Sequence, residues 1–138
     1  MKRNLRIMVI DDENIVGKRL KPALEKNDDI VETFTDARKA LERFSEQQFD
    51  IVVSDIRMDD IDGLEVLEQV LVRSDKTKVI IITGYATVEV AQEALVKGAF
   101  DFIAKPFKVK EVRKAINKAI ESLENVVRHS AGDANCRE

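Results

Sequence analysis

The sequence predicts an α/β fold: an open sheet of five parallel strands with helices on both faces. Three observations carry this. Short Ile- and Val-rich runs alternate with longer amphipathic stretches along the chain. Several of the runs are apolar throughout, without the polar alternation of a half-exposed strand. Repetition of strand and helix in this way gives a parallel sheet joined by right-handed crossovers.

The first strand is Leu5 to Ile10. Asn14 to Lys26 follows with helical spacing but contains Gly17 and Pro22. An interior proline costs roughly 3 kcal/mol and removes a hydrogen bond. We expect a kinked helix held on the sheet by Ile15, Leu20 and Leu24, with a break at Lys21 as the alternative. The second strand is Ile30 to Phe34. Asp36 then caps a helix that carries Ala37, Ala40, Leu41 and Phe44 on one side. Asp50 to Ser54 is the third strand. Asp62 and Glu65 have the spacing of a capping box ahead of Leu64, Leu67, Val70 and Leu71. Lys78 to Ile82 is the fourth strand. Ala86 to Lys97 forms the next helix, expected to bury Val88, Ala91 and Leu95, with Gly98 where a C-terminal cap belongs.

The fifth strand is Phe100 to Ala104. The last helix runs from about Lys108 to Val127, with a stripe of Val112, Ile116, Ala119, Leu123 and Val126 widened by Ala115, Ile120 and Val127. Its overhang from Leu123 to Val127 reads either as a linker helix or dimer seam or as fraying past the core. His129 to Glu138 is polar and unpatterned, so residues 128–138 are expected to be a disordered tail behind a domain spanning 1–127. Five strands with these connections suggest the flavodoxin-like order 2-1-3-4-5, doubly wound.

Composition narrows the function. The chain has 138 residues, 44% apolar and 36% charged, which describes one globular domain. A net charge of −3 argues against a general nucleic-acid binder, and the basic stretch Lys110, Arg113, Lys114 and Lys118 reads as a solvated face. The single cysteine, Cys136, allows no internal disulfide and fits a reducing, cytoplasmic setting. No apolar run approaches the ~20 residues of a membrane span. One cysteine and one histidine, His129, make none of the usual zinc clusters.

The chemistry is concentrated in carboxylates. In sheets of this class, ligands bind beyond the carboxyl ends of the strands where the strand order reverses. The first strand ends in Asp11-Asp12-Glu13, the third in Asp55, the fourth in Thr83-Gly84 and the fifth in Lys105-Pro106. Strands 1, 3, 4 and 5 are consecutive in the expected order, so these groups converge. Each alone has an ordinary explanation: an aspartate or threonine after a strand is commonly a local cap, and a lysine is commonly solvated. Together they are the set that phosphoryl transfer needs. Converging carboxylates repel, and at least one should have a raised pKa unless a cation is present. Mg²⁺ suits a few carboxylates and keeps several waters. A lysine adds positive charge, an aspartate can act as nucleophile, and Thr83 can donate a hydrogen bond to the transferred group.

With these residues in view, the chain resembles the receiver domain of two-component response regulators. The matching segments are Val9-Ile10-Asp11-Asp12-Glu13, Ser54-Asp55-Ile56-Arg57-Met58 with Asp62-Gly63 following, Ile82-Thr83-Gly84-Tyr85-Ala86, and Asp101-Phe102-Ile103-Ala104-Lys105-Pro106-Phe107. They cover roughly residues 4 to 121. The stretch from Thr83 to Phe107 looks most like receivers of the nitrogen-regulation type, which activate transcription with an alternative sigma factor. The resemblance implies that Asp55 accepts a phosphoryl group from a sensor histidine kinase or a small phosphodonor. It implies Mg²⁺ on Asp11, Asp12, Asp55 and the backbone carbonyl of Arg57, and Lys105 paired to the phosphoryl oxygens. It implies a cis Lys105-Pro106 bond. Thr83 and Phe102 would form a switch pair that alters the surface around the fourth helix and fifth strand. Phe102 lacks the hydroxyl of the tyrosine often found here, so its inward state needs no buried hydrogen-bond partner. Further implications are a homodimer through the fourth helix, fifth strand and fifth helix, and an effector domain in a longer chain.

One departure stands out. The family usually has proline after the methionine of the third loop, whereas here the sequence is Met58-Asp59-Asp60. Two carboxylates replace a rigid turn residue, which bears on phosphorylation kinetics. Three other readings compete. A pseudo-receiver that never takes phosphate is opposed by the intact set Asp12, Asp55, Thr83 and Lys105. A phosphatase of the haloacid-dehalogenase type wants Asp-x-Asp after the first strand, and Asp11-Asp12 are adjacent. A flavin or nucleotide carrier wants a glycine-rich phosphate loop, and the chain has none.

Overall fold

A computed structural model describes residues 5–25, 28–56, 61–84 and 86–131, with side chains through Leu123. Strands β1 (Arg6–Ile10), β2 (Ile30–Phe34), β3 (Ile51–Ser54), β4 (Lys78–Thr83) and β5 (Asp101–Ala104) alternate with helices α1 (Asn14–Leu24), α2 (Ala37–Glu46), α3 (Gly63–Arg73), α4 (Val88–Val96) and α5 (Val109–Ala131). All strand pairs are parallel and the order is β2-β1-β3-β4-β5, as expected.

The period of two along each strand divides the core into two layers. Met8, Ile10, Val52, Val79 and Ile81 face α2, α3 and α4; Ile7, Val9, Ile51, Val53, Ile80 and Ile82 face α1 and α5. Both layers bury their side chains almost completely, which is why β1, β3 and β4 read as unbroken apolar runs. The edge strand β2 buries only Val31. On that edge, Lys21 donates to the Val31 carbonyl at 2.7 Å. This occupies a backbone acceptor beside the unpaired margin of the sheet.

The helix starts follow the sequence. The Asp36 carboxylate accepts from the amides of Arg38 (2.9 Å) and Lys39 (3.4 Å), and α2 buries Ala37, Ala40, Leu41 and Phe44. Asp62 accepts from the Glu65 amide at 2.9 Å, and Thr87 accepts from the Val90 amide at 3.2 Å. Gly98 closes α4 with φ of +109°, a conformation that a side chain would strain.

Two expectations about buried faces are corrected. Helix α1 runs through Pro22 to Leu24 without breaking at Lys21, and it buries Val16, Leu20 and Leu24, while Ile15 is 60% exposed. Val16 continues by steps of four to Leu20 and Leu24, and Ile15 does not. Gly17 lets this helix approach β2, because a Cβ there would lie 3.0 Å from Thr33 Cβ. Helix α4 turns a different face inward than expected. Ala94 is buried and Val90 packs on the core, whereas Val88 and Leu95 are exposed and Ala91 is only partly covered. Glu89, Gln92 and Glu93 share one side of this helix, and the inward face opposite them is Val90, Ala91 and Ala94; the larger Val88 and Leu95 only flank it.

Helix α5 buries Val112, Ala115, Ile116, Ala119 and Ile120 and packs Leu123 against the same layer. It continues past the expected end at Val127 to Ala131. No proline or glycine interrupts the sequence before Gly132, so nothing local stops the helix at Val127. The residues expected as a tail are therefore helical up to Ala131, and 132–138 lie outside the described residues.

Candidate functional site

The parallel ladder continues one rung beyond the strands and fixes the backbone of three candidate residues. The Asp11 amide donates to the Phe34 carbonyl (3.0 Å), the Asp55 amide to Ile10 (3.0 Å), and the Lys105 amide to Thr83 (2.9 Å). Asp11 and Asp55 thus leave the adjacent strands β1 and β3, and Lys105 leaves β5, one strand further on, at the same end of the sheet. The Lys105-Pro106 peptide is cis.

Lys105 is the hub. Its ammonium lies 2.8 Å from Asp11 Oδ2, 2.8 Å from Glu13 Oε1 and 2.8 Å from Asp55 Oδ2. An ammonium has three hydrogens, and each finds its own carboxylate. The Asp11 and Asp55 side chains are nearly buried, at 3% and 7% exposure, while Glu13 stands at the rim at 62%. Asp11 Oδ1 also accepts from the Glu13 amide at 2.9 Å. Ser54 is buried beneath the site and donates to the Asp55 carbonyl at 2.9 Å.

Burial pushes the Asp11 carboxyl above its ordinary range; the nearby Asp55 charge adds to this, and the Lys105 and Glu13-amide hydrogen bonds only partly oppose it. For Lys105, burial opposes the charged form, but hydrogen bonds to Asp11, Asp55 and Glu13 outweigh it and raise the ammonium pKa. The lysine therefore stays charged across the physiological range.

Asp11, Asp12 and Asp55 each bring a carboxylate oxygen within 4.8 Å of the others, two from buried positions and one exposed. Oxygens bound to one Mg²⁺ at 2.0–2.1 Å are at most about 4.2 Å apart, so small side-chain adjustments would bring these into range. Hard carboxylate donors, with Asp11 held at a raised pKa, suit a hard cation and fit Mg²⁺ well.

Most of the residues singled out in the sequence meet here: Asp11, Asp12, Asp55 and Lys105 form the cluster. Thr83 ends β4 fully buried, paired in register with Ala104. Phe102 lies opposite Ile81 and is half-buried against the layer that includes α4. Arg57 and the Met58-Asp59-Asp60 departure lie outside the described residues. In the sequence, Glu13 is only the last member of an acidic run. Its bond to Lys105 spans 92 positions, and no local pattern announces such a contact.

Known proteins resemble the chain along most of its length. The family model described as "Response regulator receiver domain" matches residues 7–117. The regulatory protein AtoC of Escherichia coli is 36% identical over 126 residues, covering 90% of this chain and 27% of AtoC. The chemotaxis protein CheY of Listeria monocytogenes is 32% identical over 116 residues, covering 83% of this chain and 98% of that protein. Among solved structures, the beryllofluoride-activated NtrC4 receiver domain dimer superposes with a TM-score of 0.81 at 33% identity, covering 86% of this chain and 98% of that one. The chain thus spans under a third of AtoC and nearly all of CheY.

Proposed function

The chain belongs to the response regulator receiver domain family, and from that premise we propose that Asp55 is its phosphoacceptor and Lys105 the cation that answers the phosphoryl group. One observation carries the reading: Lys105 reaches across from β5 to lie 2.8 Å from both Asp55 and Asp11. An Asp55 carboxylate oxygen attacks phosphorus, and the bond from phosphorus to the histidine nitrogen of a sensor kinase, or to the acyl oxygen of a small phosphodonor, breaks. The leaving imidazole or carboxylate departs with the bonding pair.

Asp11, Asp12 and Asp55, with the backbone carbonyl of Arg57, would hold Mg²⁺. When bound, the ion supplies positive charge to the transferring phosphoryl oxygens. Lys105 swings from the Asp55 carboxylate to the new phosphoryl oxygens. The Thr83 hydroxyl is drawn to the same oxygens, and the space it leaves admits Phe102. The phosphoryl group adds about −1.5 to −2 charges, which biases the two packings.

The domain catalyses only its own phosphorylation and dephosphorylation. A sensor histidine kinase upstream, a homodimer through α4, β5 and α5, and an effector domain in a longer chain complete the reading. The last is supported by the length of AtoC, of which this chain matches 27%. A cytoplasmic setting goes with this role. Among the described residues, no helix is long and apolar enough to cross a membrane.

The test is intact mass spectrometry after incubation with acetyl phosphate and Mg²⁺. We expect a labile gain of about one phosphoryl group, abolished by Asp55→Asn and by a chelator. Lys105→Ala should still be modified but should lose the conformational response seen in amide NMR spectra. No gain on the wild type would overturn the phosphoacceptor reading and favour a pseudo-receiver.

A further inference from the structure

We propose that Glu13 is a positioning residue for Lys105: it holds the ammonium when a divalent cation takes over Asp11 and Asp55, and so sets the affinity of the cluster for that cation. The inference rests on the reading above, in which these carboxylates bind Mg²⁺ beside the phosphoacceptor.

The geometry separates Glu13 from the other two acceptors. The oxygens that converge closely enough for one ion come from Asp11, Asp12 and Asp55; Glu13 stands outside that set. A cation drawn to the set competes with Lys105 for Asp11 and Asp55, because the ammonium already holds both at 2.8 Å. It does not compete for Glu13. That carboxylate sits at the rim, 62% exposed, at the same 2.8 Å from the ammonium.

A second observation comes from helix α1. Glu13 occupies its N-cap, yet its side chain makes no capping hydrogen bond. Ser, Thr, Asp and Asn are preferred there because a short side chain folds back onto the first free amides. The glutamate instead extends to a lysine 92 positions away. The cap position has given up its local role for the contact with Lys105.

The consequence follows from charge. Without Glu13, an ammonium displaced from Asp11 and Asp55 has lost all three of its partners among the described residues and stays close to a newly bound divalent cation. Like charges then oppose binding, and the lysine clings to the cluster. With Glu13, Lys105 retreats to the rim while keeping one ion pair, and it remains within reach of the phosphoryl group. Partly exposed pairs of this kind change an equilibrium by about threefold.

The experiment measures the Mg²⁺ dissociation constant of the full chain by amide NMR titration, with no phosphodonor present. It compares wild type, Glu13→Gln, Glu13→Ser, Lys105→Ala and the two double variants. Serine restores a favoured N-cap, so Glu13→Ser folds at least as stably as the parent and separates capping from cation binding. We expect both Glu13 variants to weaken Mg²⁺ binding about threefold when Lys105 is present, and the loss to vanish in the Lys105→Ala background. Equal losses in both backgrounds would show that Glu13 acts by its own charge and would overturn the proposal, as would no loss in either. Failure of the wild type to bind Mg²⁺ would overturn the magnesium reading itself, and this inference with it.

Discussion

Gly63, the first residue of α3, is the glycine on which the site depends most directly. A Cβ built at this position falls 2.1 Å from the Asp55 carbonyl oxygen and 2.7 Å from Ile56 Cα. Both are backbone atoms, so no side-chain rotation relieves the contact. Alanine would have to push the start of α3 and the end of β3 apart by about 1 Å, and shifts of this kind cost about 1–3 kcal/mol, with backbone against backbone at the upper end. Alanine also favours a helix over glycine by about 1 kcal/mol. The net expectation for Gly63→Ala is a loss of about 2 kcal/mol, or about 8 °C in a domain of this size. The assay is urea unfolding at pH 7, with the denaturant slope unchanged. The same displacement moves the backbone that carries Asp55, so Mg²⁺ affinity should fall in parallel. A variant as stable as wild type, or more stable, would refute the reasoning: helix propensity would have won and the close approach would be dispensable.

Two further outcomes are expected. Asp11 has its pKa raised by burial in the folded state, so the folded protein binds this proton more readily than the unfolded chain. Its contribution to stability is fully present below the unfolded carboxyl value of about 3.9 and is lost as pH rises through the higher folded value. In chelator-treated buffer, the stability of Asp11→Asn relative to wild type should therefore increase from pH 4 to pH 7; a flat or falling difference would contradict the assignment. Amide hydrogen exchange should be faster in α4 than in α3, because α4 fully buries only Ala94 while α3 buries Val66, Leu67 and Val70. Equal protection in the two helices would argue against this ranking.

The parts of the molecule that could be read from sequence are those where chemistry or burial leaves a one-dimensional trace. Strands β1, β3 and β4 are buried on both faces, so each is an unbroken apolar run ending in a polar residue. That boundary marks Asp11, Asp55 and the threonine-glycine pair at the end of β4. Helix α2 has charged residues at 38, 39, 42 and 43 opposite its apolar stripe, and that stripe is the face it buries. Helix α4 carries Glu89, Gln92 and Glu93 on one side, and its inward face is the small-residue side opposite them, not the bulkier Val88 and Leu95. The choice between Ile15 and Val16 in α1 is of the same kind. The convergence of Asp11, Asp55 and Lys105 follows from the strand order, but the Glu13–Lys105 pair and the close approach of Gly63 to the Asp55 carbonyl leave no local pattern: both are properties of the assembled fold.

The same packing says where a charge event at Asp55 can be felt. Lys105 and Thr83 lie on adjacent strands, joined by the hydrogen bond from the Lys105 amide to the Thr83 carbonyl. Two residues back from the register pair Thr83 and Ala104, Ile81 pairs with Phe102. A group that attracts both the lysine and the threonine therefore acts on β4 and β5 together, and these are the strands beside which α4 lies. Displacing a fully buried Leu or Val costs about 1.5–3 kcal/mol, which secures α3 through Val66, Leu67 and Val70. Helix α4 has only Ala94 in that class, with Val88, Leu95 and Val96 already in solvent. One tie to α3 is a partly exposed pair between Lys97 and Glu68, of a kind that contributes at most about 1 kcal/mol. On the reading proposed above, reorganisation starting at Asp55 would meet less resistance in α4 than in α3, because α4 would give up less buried surface on moving.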